Sequence, residues 1–370
     1  MATLYFHIPF CKRICTYCDF YKVGAVALIP RVVEVMHREL DQRHNYLSDK
    51  RLTSIYFGGG TPSLLSAEQI EGLIAHARQL FDCSAVEEIT LEANPDDLTE
   101  EYINQLRATS INRISLGIQS FDDRVLQFMN RRHSAEEAVE CVARLRSAGY
   151  DNISIDIIFG VAGFGDGWLE ETLKRAISLG VEHISAYHLT VEENTRLGLL
   201  TRRGEYTPVD EERSEMEYLM VERMLAEAGY EHYEVSNYAL EGRRARHNSA
   251  YWQGVEYLGI GPGAHSFNGT MRRWCEQRVE EYVDGVVYDS EVLTDADRFN
   301  EYVMTSLRCA EGISLDKVEQ DFGSMKRERL EYKATQTEIA ELLIRDNGNL
   351  RIAPENMLLS DMIIEALMEL

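Results

Sequence analysis

From Leu4 to about Tyr187, short apolar bursts alternate with longer amphipathic stretches. The bursts at 4–8, 53–57, 88–91, 113–117, 153–158 and 183–188 have strand length and are rich in β-branched residues. The stretches between them, at 30–46, 66–81, 99–109, 134–148 and 168–179, repeat apolar residues at helical spacing. Strict alternation of strand and helix is the pattern of βα units around a parallel sheet, so the chain is α/β, and six such units predict a partial (βα)6 barrel of the TIM type. Ser66 and Gln69 stand at capping-box spacing where the second helix starts.

Past the sixth strand the pattern changes. An amphipathic helix is expected over 209–228, followed by mixed aromatic and polar segments at 233–238, 246–252 and 257–266. The tail carries helical patterns at 298–307, 314–322, 338–344 and 359–370, and Asp346-Asn347-Gly348-Asn349 makes a turn before 350–352, the outline of a small wing.

Polar and glycine signatures sit just past the carboxyl end of one strand after another. Cys11, Cys15 and Cys18 follow the first, Gly58-Gly59-Gly60-Thr61-Pro62 the second, Glu92-Ala93-Asn94-Pro95 the third and Gln119 the fourth, while Asp156 lies near the end of the fifth. In barrels and open α/β sheets that rim binds ligands, so the motifs point at one mouth. Cysteines spaced C-x3-C-x2-C can converge on one soft metal centre. A four-iron cluster held by three cysteines keeps one iron open, as reactive sites do. A zinc knot with His7 as fourth ligand fits the same spacing. The consecutive glycines suit either a close backbone approach to a ligand or a tight turn.

Composition narrows the field. A formal net charge of −24 argues against a nucleic-acid partner, which is held by lysines and arginines on phosphates. Seven cysteines, with Cys83, Cys141, Cys275 and Cys309 scattered, suit a metal in a reducing compartment better than a disulfide framework. No apolar stretch approaches the roughly 18 to 20 residues that cross a bilayer, and no basic region precedes the first apolar run, so the expected location is cytoplasmic.

The run from Tyr5 to Phe20, YFHIPFCKRICTYCDF, resembles the cluster loop of the radical S-adenosylmethionine (SAM) superfamily, specifically the oxygen-independent coproporphyrinogen III oxidase family. The resemblance implies a 4Fe-4S cluster on Cys11, Cys15 and Cys18 with SAM on the open iron. G-G-G-T-P resembles the segment that binds the methionyl part of SAM, here Gly59, Gly60 and Thr61. Glu92, Gln119, Arg131 and Asp156 match SAM-contacting positions in L-E-A-N-P, G-I-Q-S-F, M-N-R-R-H and I-D-I-I-F-G, and Tyr5 and Tyr17 match two more. SAM carries an amino group, a carboxylate, ribose hydroxyls and a sulfonium, so acceptors and one cation suit it. The fork of Arg131 fits the carboxylate, and Glu92 fits the amino group or a ribose hydroxyl.

The oxidising branch of that family has a further cysteine two positions after the third and a segment ahead of the cluster strand. This chain has Phe20 in that place and begins almost at the strand, so its C-D-F resembles the sister branch, the HemW-type haem chaperones. His183 to Glu192 resembles that branch closely, whereas Phe159 to Asp166 keeps the glycines of the family's G-L-P-G-Q-T loop and loses its proline and threonine. H-N-x-x-Y-W, from His247 to Trp252, resembles the region linked to haem binding. A neutral imidazole can ligate iron and Arg243, Arg244 and Arg246 can meet propionates; the alternative is a polar loop that His247 and Asn248 tie down. His265 is a second candidate. The C-terminal part resembles the family's mostly helical, winged-helix-like domain, without a basic face for DNA.

The expected division is a radical SAM core over 1–230, an extension with the candidate haem segment over 231–295, and the winged-helix-like domain over 296–370. The leading expectation is a chaperone that binds the cluster, SAM and haem and delivers haem to an apo-cytochrome or other acceptor, soluble or membrane-associated, with a flavodoxin-type electron donor as a further implied partner. The alternatives are oxidative decarboxylation of coproporphyrinogen III to protoporphyrinogen IX, and a zinc-knotted interaction protein.

Overall fold

A computed structural model describes residues 1–336 and 338–369. Six strands lie side by side in chain order, all parallel: β1 (Ala2–Ile8), β2 (Leu52–Gly59), β3 (Glu88–Ala93), β4 (Arg113–Gln119), β5 (Ile153–Phe159) and β6 (His183–His188). Successive strand side chains point to opposite faces, and each strand alternates accordingly. Leu4, Phe6 and Ile8, then Ile55 and Phe57, Ile89 and Leu91, and Ile114 and Leu116 are buried in the continuous apolar core. The alternate positions carry Thr3, Tyr5 and His7, then Ser54 and Tyr56, Glu88, Thr90 and Glu92, and Arg113 and Ser115, so the concave side is polar.

Helices α1 (Ile29–Arg43), α2 (Ala67–Leu80), α3 (Glu100–Leu106), α4 (Asp123–Phe128), α5 (Ala135–Ser147) and α6 (Trp168–Ser178) occupy the crossovers. The capping box read from Ser66 and Gln69 is present: the Gln69 N–H donates to Ser66 Oγ at 3.2 Å and the Ser66 N–H to Gln69 Oε1 at 2.9 Å. The short α4 was not visible in the hydrophobic pattern, since six residues hold fewer than two turns.

The curved sheet stays open. After α7 (Arg196–Arg202) and α8 (Glu211–Glu227), the hairpin of β7 (Glu231–Glu234) and β8 (Asn237–Ala239) pairs antiparallel with β6. Then α9 (Arg246–Trp252) leads to the opposite margin, where β9 (Glu256–Ile260) pairs parallel with β1. Antiparallel β10 (His265–Phe267), β11 (Met271–Trp274) and, past α10 (Val279–Tyr282), β12 (Asp289–Val292) complete 12 strands. Buried Glu39 of α1 clamps this margin, accepting from the hydroxyls of Tyr282 at 2.6 Å and Tyr288 at 2.8 Å and from the Gly261 N–H at 2.9 Å.

The C-terminal part holds α11 (Asp295–Leu307), β13 (Ile313–Ser314), α12 (Leu315–Phe322), α13 (Ser324–Lys333), β14 (Leu343–Asp346), β15 (Asn349–Ile352) and α14 (Ser360–Leu367). Asn347 and Gly348, at φ 49° and 81°, turn β14 into β15 as the sequence predicted. The helix expected over 338–344 is instead one 3-10 turn, Ala340–Leu342, and the start of β14, because Leu343 and Ile344 pair with Ile352 and Arg351. Unexpected α13 buries only Leu330, so it has no apolar stripe to read. The helix expected over 359–370 begins at Ser360, after a 3-10 segment Pro354–Leu359; Leu370 lies outside the described residues. This part hangs on β7, the Val235 N–H donating to Arg308 O at 2.8 Å and the Ala310 N–H to Tyr233 O at 3.0 Å. Among the described residues no helix is long and apolar enough to cross a membrane.

Candidate functional site

The three glycines at the end of β2, Gly58 and Gly59 within it and Gly60 just past it, answer to close packing. A Cβ on Gly60 would lie 2.8 Å from the Phe10 carbonyl oxygen and 2.9 Å from Pro9 C, and one on Gly58 would lie 2.9 Å from Glu92 Oε1. Gly59 has φ +109°, and its Cβ would fall 2.7 Å from the His7 ring. The end of β2 thereby reaches the root of the cysteine loop, where the Gly60 N–H donates to Ile8 O at 2.8 Å.

The loop is tied on its far side too. Thr16 donates from its N–H to Met129 O at 3.2 Å and from Oγ1 to Phe128 O at 3.1 Å, and Asn130 donates to Ile14 O at 2.7 Å. Buried Asp97 accepts from Lys12 at 2.7 Å, Arg132 at 2.8 Å and Ser63 at 3.2 Å, which ties the loop to the segments after β2 and α4.

The result is one cavity of about 520 Å³ at the carboxyl ends of the strands. Cys11, Cys15, Cys18, Tyr17, Gly59, Gly60, Thr61, Glu92, Gln119, Arg131 and Asp156 all line it. Thr61 Oγ1 donates to Cys11 Sγ at 3.4 Å, and Arg131 Nη1 to Cys15 Sγ at 3.3 Å. Arg131 Nη2 also donates to Asn94 Oδ1 at 2.6 Å and to the Gly117 carbonyl, while its buried Nε has no partner. Gln119 reaches the cavity from a left-handed backbone, φ 75°, at the end of β4. Asn94, part of the signature after the third strand, lines the same space, as do Ser115, Gly117, Ile158 and Tyr187, which the sequence does not single out as site residues. Most are inward positions of the barrel strands, so the period-two alternation carried the signal.

Burial sets the electrostatics. It pushes Glu92 up to about 7, against the hydrogen bonds that the carboxylate accepts from Tyr56 at 2.7 Å and the Gly59 N–H at 3.1 Å. It pushes Asp156 up to about 6, against a hydrogen bond from Ser185 and the pull of Arg113 and Arg131. The thiols of Cys11 and Cys18 are raised for the same reason.

Three expected placements differ. Tyr5 lines a neighbouring groove, its hydroxyl 3.0 Å from His7 Nδ1. His7, the fourth ligand in the zinc alternative, is occupied on both nitrogens, by Tyr5 and at 3.4 Å by Tyr21 O, and faces that groove as well. His247 is buried at the opposite end of the barrel in α9. Its Nδ1 is 2.9 Å from Ser54 Oγ, its Nε2 is 3.0 Å from the Tyr251 hydroxyl, and its ring stacks on Tyr56 at 4.9 Å. Burial pushes it down to about 3, a neutral ring with both nitrogens engaged by neighbouring side chains. Arg246 pairs with Glu87, Arg244 with Glu231 and Glu311. The altered loop after β5 is held by α8, the Gly160 N–H donating to Glu217 at 2.7 Å and Arg213 to Asp166 at 2.7 Å.

The profile of the radical SAM superfamily matches residues 5–176, and that of the HemN C-terminal domain matches 293–359. The chain is 33% identical over 365 residues to Heme chaperone HemW of Lactococcus lactis, covering 98% of this chain and 96% of that protein. It belongs to the HemW family of radical SAM proteins. HemW of Bacillus subtilis is 34% identical over 87% of both chains, and HemW of Mycobacterium tuberculosis 32% identical over 99% of this chain and 94% of its own. The fold of this HemW-family chain matches the solved coproporphyrinogen III oxidase HemN of Escherichia coli at a TM-score of 0.81 over 99% of this chain and 89% of that one, with 21% identity.

Radical SAM proteins imply a 4Fe-4S cluster and SAM, and the residues of this HemW-family member suit both. Three thiols line one cavity, as a cluster held by three cysteines requires; among the described residues no three His, Cys, Asp or Glu side chains are grouped to hold a single metal ion. Beside the thiols the Arg131 guanidinium keeps its buried Nε–H unpaired, and the carboxyls of Glu92 and Asp156 face the same cavity.

Proposed function

We propose that this chain is a haem chaperone that carries a 4Fe-4S cluster on Cys11, Cys15 and Cys18, binds SAM beside it, and passes haem to an acceptor protein. The observation that carries the reading is the convergence of three thiols, bare glycine backbone, Arg131, Gln119, Glu92 and Asp156 on one cavity, in a chain alike over nearly its whole length to proteins called Heme chaperone HemW. Bound on Cys11, Cys15 and Cys18, a 4Fe-4S cluster would supply one-electron reducing chemistry to a sulfonium held beside it. The protein's own part is to bind and orient. Arg131 Nε is the free donor for the SAM carboxylate, Glu92 in its ionised form accepts from the ammonium, and Asp156 and Gln119 offer acceptors to ribose hydroxyls. Tyr17, buried against Arg131, closes the side toward the loop.

Coproporphyrinogen oxidation is the second reading, since the oxidase HemN of Escherichia coli has the same fold. Phe20 opposes it, because an exposed phenyl ring replaces the additional thiol of that branch. The test is anaerobic reconstitution followed by three assays: iron and sulfide content, haemin binding with transfer to an apo-cytochrome, and incubation with SAM, reductant and coproporphyrinogen III. About four irons per chain, bound haem and its transfer are expected. Vinyl product at catalytic yield without haem transfer overturns the chaperone reading.

A further inference from the structure

A second cavity, about 680 Å³, lies between the cysteine loop and the β9–β11 margin, and its walls include Phe20, Tyr21, Tyr251, Tyr257 and His265. His7, Gly263 and the carboxylates Asp19 and Glu276 line it too, and a largely aromatic cavity of this size suits a flat organic ligand. Haem iron takes an axial ligand from a histidine, cysteine, methionine or tyrosine, and an accessible imidazole with a free lone pair is one that binds in its neutral form.

Of the chain's ten histidines, most are committed elsewhere. His7, His76, His183 and His247 use both ring nitrogens. His37, His44, His133 and His188 each use one, and half-buried His232 stacks on Tyr238 at 4.3 Å. His265 is exposed, and no hydrogen bond to its ring is found among the described residues. Its ring lies parallel to Trp274, 6.0 Å away with 15° between the planes, across the β10–β11 pair. Desolvation and nearby Arg272 lower its pKa against the opposing pull of Glu276, which favours the neutral ring.

We propose that haem docks in this groove with the His265 imidazole on iron, a placement that rests on the haem-chaperone reading above. Trp274 is a positioning residue that fixes the imidazole plane. Phe20, 70% exposed, and Tyr257 offer apolar faces to the porphyrin. Arg272 projects on the same face of the sheet as His265 and puts a cation near the propionates. The bond formed is Fe–N, from the imidazole lone pair, with a water or hydroxide leaving the haemin iron and no change of oxidation state. The groove shares Asp19, Phe20 and Tyr21 with the loop that bears Cys18, so cargo would rest directly against the cysteine loop.

The test is haemin titration of the full chain, read by Soret absorbance and by electron paramagnetic resonance of the ferric iron. His265→Ala is expected to weaken binding about tenfold or more and to lose the nitrogen-ligated signal, which added imidazole restores. Phe20→Ser, at an exposed site, is expected to weaken binding roughly two- to fivefold with the ligand signal unchanged, and His247→Ala to keep the signal. Wild-type affinity and signal in His265→Ala would overturn this placement while leaving the chaperone reading intact. Absence of haemin binding by the wild type would overturn both.

Discussion

Arg131 donates from Nη1 to the sulfur of Cys15 at 3.3 Å, from a guanidinium that also supports Asn94 and the end of β4. One planar side chain thus joins the thiol rim to the cavity wall and keeps Nε free. Arg131→Lys retains the charge and loses the fork. SAM affinity is expected to fall roughly 10- to 100-fold with iron and sulfide content unchanged, the size of a lost charge-assisted pair. Equilibrium dialysis on reconstituted protein measures it, and wild-type affinity would remove Arg131 from the SAM site.

Glu92 and Asp156 give the site a pH signature. Their folded values, about 7 and about 6, stand above the ordinary 4.5 and 3.8. A raised carboxyl contributes stability that is full below its unfolded value and is lost as pH rises through its folded value. Melting of the cluster-free chain between pH 4.5 and 8 is expected to lose on the order of 2–3 kcal/mol from Glu92 alone. Buried histidines act oppositely: His7 and His133, pushed down to about 4, contribute stability above 6.5 that is lost as pH falls. The difference between wild type and Glu92→Gln isolates the carboxyl, and parallel pH profiles would contradict it.

Gly60 has no room for a methyl group, since Pro9 and Phe10 backbone atoms stand 2.8–2.9 Å from the Cβ position. Gly60→Ala must therefore displace the root of the cysteine loop. A cost of about 1–3 kcal/mol is expected, with iron content after reconstitution falling by more than half while far-ultraviolet circular dichroism is retained. Full iron content would show that the loop tolerates the shift.

His247 is tested by stability. Removing its ring strands Ser54 and Tyr251 and opens a cavity beside Tyr56, so His247→Ala is expected to lose roughly 2–4 kcal/mol in urea unfolding. A loss under about 0.5 kcal/mol would contradict its role as a packing residue.

Six strands and their order could be read from the sequence because each alternates apolar and polar residues between glycine- or proline-bearing loops. The cavity could be read because its chemistry is packed at strand ends, Glu92 after β3's apolar Leu91 and Asp156 between Ile155 and Ile157. Resemblance, rather than spacing, singled out Arg131, which lies in a loop between α4 and α5. What escaped reading depends on long-range contact. Nothing local to His247 says that Ser54, almost two hundred residues earlier, takes its Nδ1. Leu343 and Ile344 look helical until β15 pairs with them, and α13 keeps too little apolar surface to be seen.

The margin at β1 and β9 has a consequence for how such proteins diversify. A closed cylinder fixes its bore by strand number, whereas a curved strip can gain or shed strands at either border and leave the sulfur-bearing end untouched. The twelve-strand strip here carries aromatic residues on its added border, beyond the six strands that shape the polar hollow. Changes between 256 and 292 would accordingly alter what size and shape of guest is admitted long before they disturbed the chemistry at the hollow's mouth.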